Sequence, residues 1–317
     1  MRIVLAPMEG LLDFRLREIL TQVGGYDECV SEFIRVNDTL LPAHRYYRVV
    51  PELKTASKTN SNIPVKVQIL GSDPNCMAEN ASMAASLGAY GIDINFGCPA
   101  PTVNRNRGGA ALLKEPELMF QIVKAVRNSV PKEIPVTAKM RLGFDSTEQT
   151  LDCAKALEEG GAKEIVVHAR TKTDGYKPPA YWEWISKIKS TLNINVIANG
   201  EIWTIEDAFR CQKISDCQDL MIGRGAVSNP ALALMIKGIL QDRFEWIEIK
   251  KILMTYWITM TEGMDGVSKT GRIKQLLQYL SREYEEAKLD FHRIKQISNP
   301  KELETLYFSE FYSLINS

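Results

Sequence analysis

Cys98 has the clearest chemical setting in this sequence. It stands in Asn95-Phe96-Gly97-Cys98-Pro99, at the end of an apolar, strand-like run. Gly97 lets the chain turn sharply, and Pro99 ends sheet pairing and stiffens the loop. A thiol held there would be presented at the strand end rather than buried in the core. A lone cysteine is more often a buried filler, and that reading stays for Cys29, Cys76, Cys153, Cys211 and Cys217. Lys139 and Arg141 lie two apart on one run, so both point the same way. A lysine inside a buried strand needs an anionic partner. That partner is either an acidic side chain such as Glu9 or a bound anionic group. Gly200 and the Gly223-Arg224-Gly225 turn could offer backbone N–H groups to a phosphate. His168, beside Arg170, reads either as a ligand contact or as a structural histidine. No metal-ligand spacing, Ser-His-Asp arrangement or P-loop is present.

These residues need elements to hold them. Apolar, Val- and Ile-rich runs at 3–6, 29–33, 65–70, 91–97, 136–142, 164–169, 196–200 and 220–223 suit strands buried on both faces. Amphipathic stretches alternate with them at 13–23, 75–87, 116–128, 147–159, 182–191, 204–212 and 230–240. Asp13, Ser146 and Thr204 are placed to cap helices. A further helix-like segment lies within 35–62. Eight such units match an α/β (β/α)8 TIM barrel. An open doubly wound sheet would bring a GxGxxG turn after its first strand, and none is present. The expected strand ends carry Pro7, Met8, Glu9, Glu32, Arg35, Gln68, Asn95, Cys98, Lys139, Arg141, His168, Arg170, Asn199, Glu201 and Arg224. A barrel that was only a core would have no reason to gather polar groups at one rim. From about residue 244 the strand pattern stops. Helical patterns at 248–261, 268–280, 283–294 and 300–314 predict a small all-helical domain, 244–317, after a barrel domain, 1–243.

The chain has 317 residues with 39 basic and 39 acidic side chains. A neutral chain has no overall attraction to nucleic acid, so any such binding must be local. The helical part holds 10 basic and 11 acidic residues, with Arg272-Ile273-Lys274 and Arg293 near Lys295 as local concentrations. No membrane span is credible, and the apolar N-terminal run is too short for a signal peptide. A cytoplasmic location with reduced thiols is expected.

Several blocks fall in one recognisable order. They are Ala6-Pro7-Met8-Glu9-Gly10, Gln68, Asn95-Phe96-Gly97-Cys98-Pro99, Gly108-Gly109-Ala110-Ala111-Leu112, Lys139-Met140-Arg141-Leu142-Gly143, His168-Ala169-Arg170-Thr171, Asn199-Gly200-Glu201-Ile202 and Ile222-Gly223-Arg224-Gly225. Together they resemble the tRNA-dihydrouridine synthases. The stretch from Cys29 to Arg35 and the block from Arg272 to Leu280 resemble the bacterial C-type branch, which modifies uridine 16. One departure is that Thr102-Val103-Asn104 are neutral where many members place a basic residue soon after the Cys-Pro. The resemblance implies FMN reduced by NADPH (NADH being possible), hydride transfer from flavin N5 to uracil C6, and a proton from Cys98 to C5. Reduced flavin, negative around N1 and the C2 carbonyl, would be the partner of Lys139. Pro7, Met8, Glu9, Gln68, Lys139, His168, Asn199, Gly200, Glu201, Gly223 and Arg224 would hold FMN. Asn95, Arg141 and Tyr176 would receive the everted uridine. Arg35, Arg272, Lys274, Tyr279 and Lys295 would hold the tRNA. No obligate protein partner is implied, and a monomer is expected. The alternatives are the same chemistry at uridine 20 or 20a, a flavin dehydrogenase acting on a free pyrimidine, and an RNA-binding protein without catalysis.

Overall fold

In the computed structural model, which describes residues 1–260 and 266–309, every long apolar run of the first two thirds becomes a strand. In chain order they are β1 (Ile3–Leu5), β2 (Glu28–Val30), β3 (Ile34–Arg35), β4 (Val65–Leu70), β5 (Ile92–Phe96), β6 (Val136–Arg141), β7 (Glu164–His168), β8 (Asn195–Asn199) and β9 (Leu220–Ile222). All their pairings are parallel, and the order β2-β1-β9-β8-β7-β6-β5-β4 is closed by β2 against β4. Eight strands thus form a barrel, and β3 adds a short extension on β4. This is the expected (β/α)8 barrel followed by helices.

The expected strand at 29–33 stops at Val30, and a second short strand, β3, starts only at Ile34. The Ser31 hydroxyl accepts the Gln68 N–H at 3.0 Å, taking the place of a ladder carbonyl. Pairing to β4 resumes at Ile34. The segment within 35–62 holds the helix Ala43–Val49 and the 3-10 turn Pro51–Thr55.

Alternation and register sort the barrel interior into layers. At the N-terminal end of the strands Lys66 bonds Glu28 and Glu164, each at 2.7 Å, and Arg2 joins Glu164 and Asp219. Above them Val4, Ala6, Val30, Val166, Ile197 and Met221 form an apolar cluster on one side. The other side, on β4, β5 and β6, is polar. Gln68, Asp93 and Thr137 sit there in register and fully buried.

Helices cover the barrel where the sequence can start and stop them. Thr204 and Asp207 form a capping box on Ile205–Ser215, as the Thr204 expectation required. Asp73, unforeseen, caps Pro74–Ser86 by accepting the Cys76 N–H at 2.7 Å. Ser146 does not cap: the helix begins at Thr150 behind Gln149. A tight loop explains this, because a Cβ at Gly143 would lie 1.9 Å from the Ser146 carbonyl. The helix expected at 230–240 shrinks to Leu232–Ile236, and Arg224–Ser228 precedes it. Pro230 lacks the N–H to join them.

The chain divides into two compact units. One is Met1–Phe14 with Tyr26–Gly223; the other is Arg15–Gly25 with Arg224–Ser317. The division falls before the 243/244 boundary read from the change of pattern. Gly25 explains part of this, because a Cβ there would lie 2.7 Å from the Ala233 backbone. Within the second unit run Trp246–Thr259, Gly266–Leu280, Glu285–Ile294 and Pro300–Leu303, which continues as a wide turn, Glu304–Phe308. Leu253, Trp257, Ile273, Leu277, Leu280 and Phe308 are buried there, with the Trp257 and Phe308 rings stacked 5.2 Å apart. The remainder of the helix expected at 300–314 lies outside the described residues. Among the described residues no helix is long and apolar enough to cross a membrane.

Candidate active site

Cys98 follows β5 and is half-buried, whereas the other five cysteines are buried. Its backbone is held on both sides. The Gly97 and Cys98 N–H groups both donate to Asn95 Oδ1 at 2.9 Å. The Cys98 carbonyl accepts from the Ala110 N–H and from Asn104 Nδ2, each at 3.0 Å. Gly109 adopts φ +60°, and a Cβ there would lie 2.8 Å from the Cys98 carbonyl and 3.0 Å from its Cβ. Only glycine lets that loop pass so close. Burial pushes the Cys98 thiol above its ordinary pKa, the Ala100 N–H pulls it down, Glu9 adds to the rise, and Arg141 and Arg35 oppose it. The net direction keeps the sulfur protonated, which suits a proton donor.

Asn95 itself is anchored. Its Nδ2 donates to Gln68 Oε1 at 2.8 Å, Gln68 Nε2 donates to Asp93 Oδ2 at 2.7 Å, and Thr137 Oγ1 donates to Asp93 Oδ1 at 2.6 Å. Gln68, expected at the cofactor, has 0% exposure here and uses both ends of its amide inside the barrel. Asp93 and Thr137 were missed. Asp93 sits in Ile92-Asp93-Ile94-Asn95, and its two-residue spacing from Asn95 was the available signal for a shared inward face.

Arg141 was expected to meet substrate, yet it is buried and ties loops together. Its Nε donates to the Gly97 carbonyl at 2.8 Å, and its Nη1 to the carbonyls of Thr171 at 3.0 Å and Gly175 at 2.9 Å. Its guanidinium carbon lies 5.1 Å from the Tyr176 ring centre. Tyr176 is 52% exposed, with its ring 6.0 Å from that of His168.

Lys139 is half-buried. Its Nζ donates to Asn199 Oδ1 at 3.1 Å, and Asn199 Nδ2 donates to the Met221 carbonyl at 2.8 Å. Glu9 is not its partner, and among the described residues no carboxylate pairs with it. Burial, reinforced by Arg141, lowers the Lys139 ammonium to about 8, while Asp93 and Cys98 pull it upward. A cation held by one neutral amide is a seat for an incoming anionic atom.

Beside it, Gly200 has φ +116°, and a Cβ there would lie 2.6 Å from His168 Cδ2. Arg170, fully buried, pairs with Glu201 and places Nη1 3.4 Å from His168 Nε2. Glu201 also accepts from Trp203 Nε1 at 3.0 Å. Pro7 and Met8 are half-buried, Glu9 is exposed, and Gly223 faces the Met8 sulfur. Arg224 opens the second unit.

The residues expected at RNA are dispersed. Arg35, in the barrel unit, donates to the Thr102 carbonyl at 3.2 Å. On Gly266–Leu280, Arg272 and Tyr279 are seven apart and share one flank of the buried face, while Lys274 lies on the other. Lys295 is exposed, 3.3 Å from His292 Nδ1.

The model of the family described as dihydrouridine synthase matches residues 4–311 of this chain. The chain belongs to the dihydrouridine synthase family. The match takes in the barrel and most of the helical part together. Curated relatives named tRNA-dihydrouridine(16) synthase include one from Pseudomonas syringae pv. tomato, 54% identical over 93% of this chain and 95% of the relative. Another, from Aquipseudomonas alcaligenes, is 51% identical over 96% and 98%. A third, from Haemophilus influenzae, is 48% identical over 96% and 98%. Among solved structures, a 2-naphthoyl-CoA reductase complex superposes with TM-score 0.58 at 13% identity, covering 75% of this chain and 50% of that one. An old yellow enzyme homologue from Zymomonas mobilis gives 0.53 at 12%, covering 75% and 88%. These two likenesses concern the barrel fold. As a dihydrouridine synthase family member, the protein is an oxidoreductase.

Proposed function

We propose that this protein is an FMN-dependent tRNA-dihydrouridine synthase that reduces the C5–C6 bond of uridine 16, with Cys98 as the proton donor. The observation that carries the reading is the Cys98 thiol. It is half-buried on a loop pinned from both sides, kept protonated by burial, and within electrostatic reach of Lys139 and Arg141. The curated relatives named tRNA-dihydrouridine(16) synthase support position 16.

The residues fit a flavin. Lys139 offers a cation with a single neutral partner, and Gly200 leaves no side chain between His168 and the loop after β8. Lys139, His168 and Asn199 would hold the ring edge, and Pro7, Met8 and Glu9 would line it. Gly200 and Gly223 would offer N–H groups to the phosphate, with Arg224, next in the chain, as its counter-charge. When bound, FMN reduced by NADPH (or NADH) supplies the hydride that adds at uracil C6. Cys98 gives its proton to C5 and regains one from solvent. Arg141 keeps the Cys98 loop and the carbonyls of Thr171 and Gly175 in register around the base, which Tyr176 would face. Asn95, expected at the base, is buried with its amide engaged by Gln68 and by the Gly97 and Cys98 N–H groups. Arg35, Arg272, Lys274, Tyr279 and Lys295 would hold the tRNA backbone, which positions without reading sequence. Residues 244–317 would then serve as the tRNA-binding part of a cytoplasmic monomer.

The test is purification, a flavin absorbance spectrum, and mapping of dihydrouridine after incubation with unmodified tRNA and NADPH. Dihydrouridine at position 16 supports the reading. Product only at 20 or 20a moves it to another branch, and activity on free uracil or orotate without tRNA replaces it.

A further inference from the structure

The barrel interior holds a directed hydrogen-bond chain that the proposed chemistry does not use. It starts at Asp93, which is fully buried, and accepts from Thr137 Oγ1 at 2.6 Å and Gln68 Nε2 at 2.7 Å. It passes through Gln68 Oε1 to Asn95 Nδ2 at 2.8 Å and ends at Asn95 Oδ1, which accepts the N–H groups of Gly97 and Cys98. Primary amides are two-faced: rotation by half a turn exchanges their donor and acceptor ends. Two amides in series therefore have four arrangements, and in only one of them does every donor meet an acceptor from Asp93 to the Cys98 loop. The oxygen that Asp93 turns to Gln68 removes the ambiguity. If Gln68 turned its oxygen to Asp93, two acceptors would face each other there, and two donors would face each other at Asn95. Each mismatch would leave buried polar groups unsatisfied, at about 1–3 kcal/mol apiece by general experience, so both flips are excluded together.

We propose that Asp93 is a positioning residue for Cys98: through Gln68 it fixes which end of Asn95 meets the Gly97 and Cys98 N–H groups, and so holds the thiol where a substrate can receive its proton. The catalytic part of this inference rests on the reading of Cys98 as proton donor; the structural part does not. Burial pushes the Asp93 carboxyl above its ordinary range, while the hydrogen bonds from Gln68 and Thr137 and the charges of Lys66 and Lys139 pull it down and favour the acceptor form.

The polarity of the chain can be cut or rebuilt. Asp93→Leu removes both acceptors. The pair Gln68→Glu with Asp93→Asn rebuilds the chain with its acceptor moved one step. The new amide at 93 donates to the new carboxylate at 68, which still accepts from Asn95. Hydrogen exchange of the Gly97 and Cys98 amides, read in the full-length protein without tRNA, reports the chain directly. Single-turnover reduction of tRNA by the pre-reduced, flavin-loaded protein reports its consequence. In Asp93→Leu both amides should exchange about tenfold faster. Reduction should slow by about the same factor while KM for tRNA changes by less than about twofold. In the double variant exchange should return to within about twofold of the parent. If Asp93→Leu does not accumulate folded, Gln68→Met cuts the same chain in the middle and must give the same rise in exchange. Unchanged exchange in the folded single variant overturns the proposal, as does faster exchange in the double variant. So does faster exchange with no change in reduction rate. If the parent protein reduces no uridine at all, the functional reading fails, while the exchange data still decide whether Asp93 orders the loop.

Discussion

Lys139 shows how a single residue can carry a testable consequence of its surroundings. Its ammonium is lowered to about 8, first by burial and then by Arg141. A lysine whose folded pKa lies below its unfolded value near 10.5 costs stability while it is charged. For the flavin-free protein this cost is fully present below pH 8 and is relieved as pH rises from about 8 to 10.5. An anionic ring edge would reverse the shift, so flavin binding should take up a proton above pH 8. We predict that FMN affinity, followed by quenching of flavin fluorescence, falls between pH 7.5 and 9.5 by up to about tenfold per pH unit, and that Lys139→Met abolishes this dependence. Affinity independent of pH in the parent would remove Lys139 from the flavin site. At this scale the sequence was legible where a type and a position coincided. Cys98 between Gly97 and Pro99, and Lys139 within an apolar run, stand out from their chain neighbours alone. Arg141 and Gln68 were placed on the right strands, but Arg141 meets backbone carbonyls after β5 and β7, and Gln68 meets a carboxylate and an amide on β5. Such partners leave no mark on the residue's own neighbourhood in the chain. The tightness of Gly109 against Cys98 was likewise hidden, because it depends on a carbonyl eleven residues back in the chain.

Elements explain why the site can be polar without collapsing the barrel. The strands alternate, so one β4–β5–β6 face carries Lys66, Gln68, Asp93, Asn95, Thr137 and Lys139 inward; its lower layers are satisfied within the protein, while Lys139 at the top has only the Asn199 amide. The lowest layer is the most demanding. Lys66 stands between Glu28 and Glu164 with side chains almost wholly buried, and Arg2 closes the group from the rim. Burial pulls the Lys66 ammonium down, but the two carboxylates prevail and raise it. Removing one member of such a group leaves charge without compensation, generally at a cost of about 3–5 kcal/mol. Lys66→Met should therefore lower the stability read by urea unfolding by about that much. Because this layer lies at the opposite end of the strands from Cys98, reduction measured well below the unfolding transition should survive. A change under about 1 kcal/mol would mean that the network is solvated rather than buried. The eight-strand count was readable because buried parallel strands are mostly apolar on both faces, and the polar residues within them are few and isolated. The break at Ser31–Phe33 and the missing cap at Ser146 were not, because a serine hydroxyl replacing a ladder carbonyl, and a glycine loop pressed on a carbonyl, are tertiary events.

At the scale of the whole molecule, a neutral chain must recognise a polyanion locally. Balanced composition gives no long-range attraction, so contacts at Arg35, Arg272, Lys274, Tyr279 and Lys295 would have to suffice, and their strength would fall with salt. The family match spans the barrel and the helical part in one alignment, which favours a substrate that needs both over a free pyrimidine. The compact units divide at Gly223 rather than at the change in sequence pattern. Contact, unlike periodicity, also groups Arg15–Gly25 with the later helices. The central claim, however, concerns one sulfur. It is tested most directly by loading Cys98→Ala with FMN, reducing it, and following dihydrouridine at position 16 of unmodified tRNA in a single turnover. The account predicts normal flavin content and tRNA affinity with reduction slowed by a factor of about 10² or more, as for loss of a general acid. Dihydrouridine appearing at the parent's rate would contradict it.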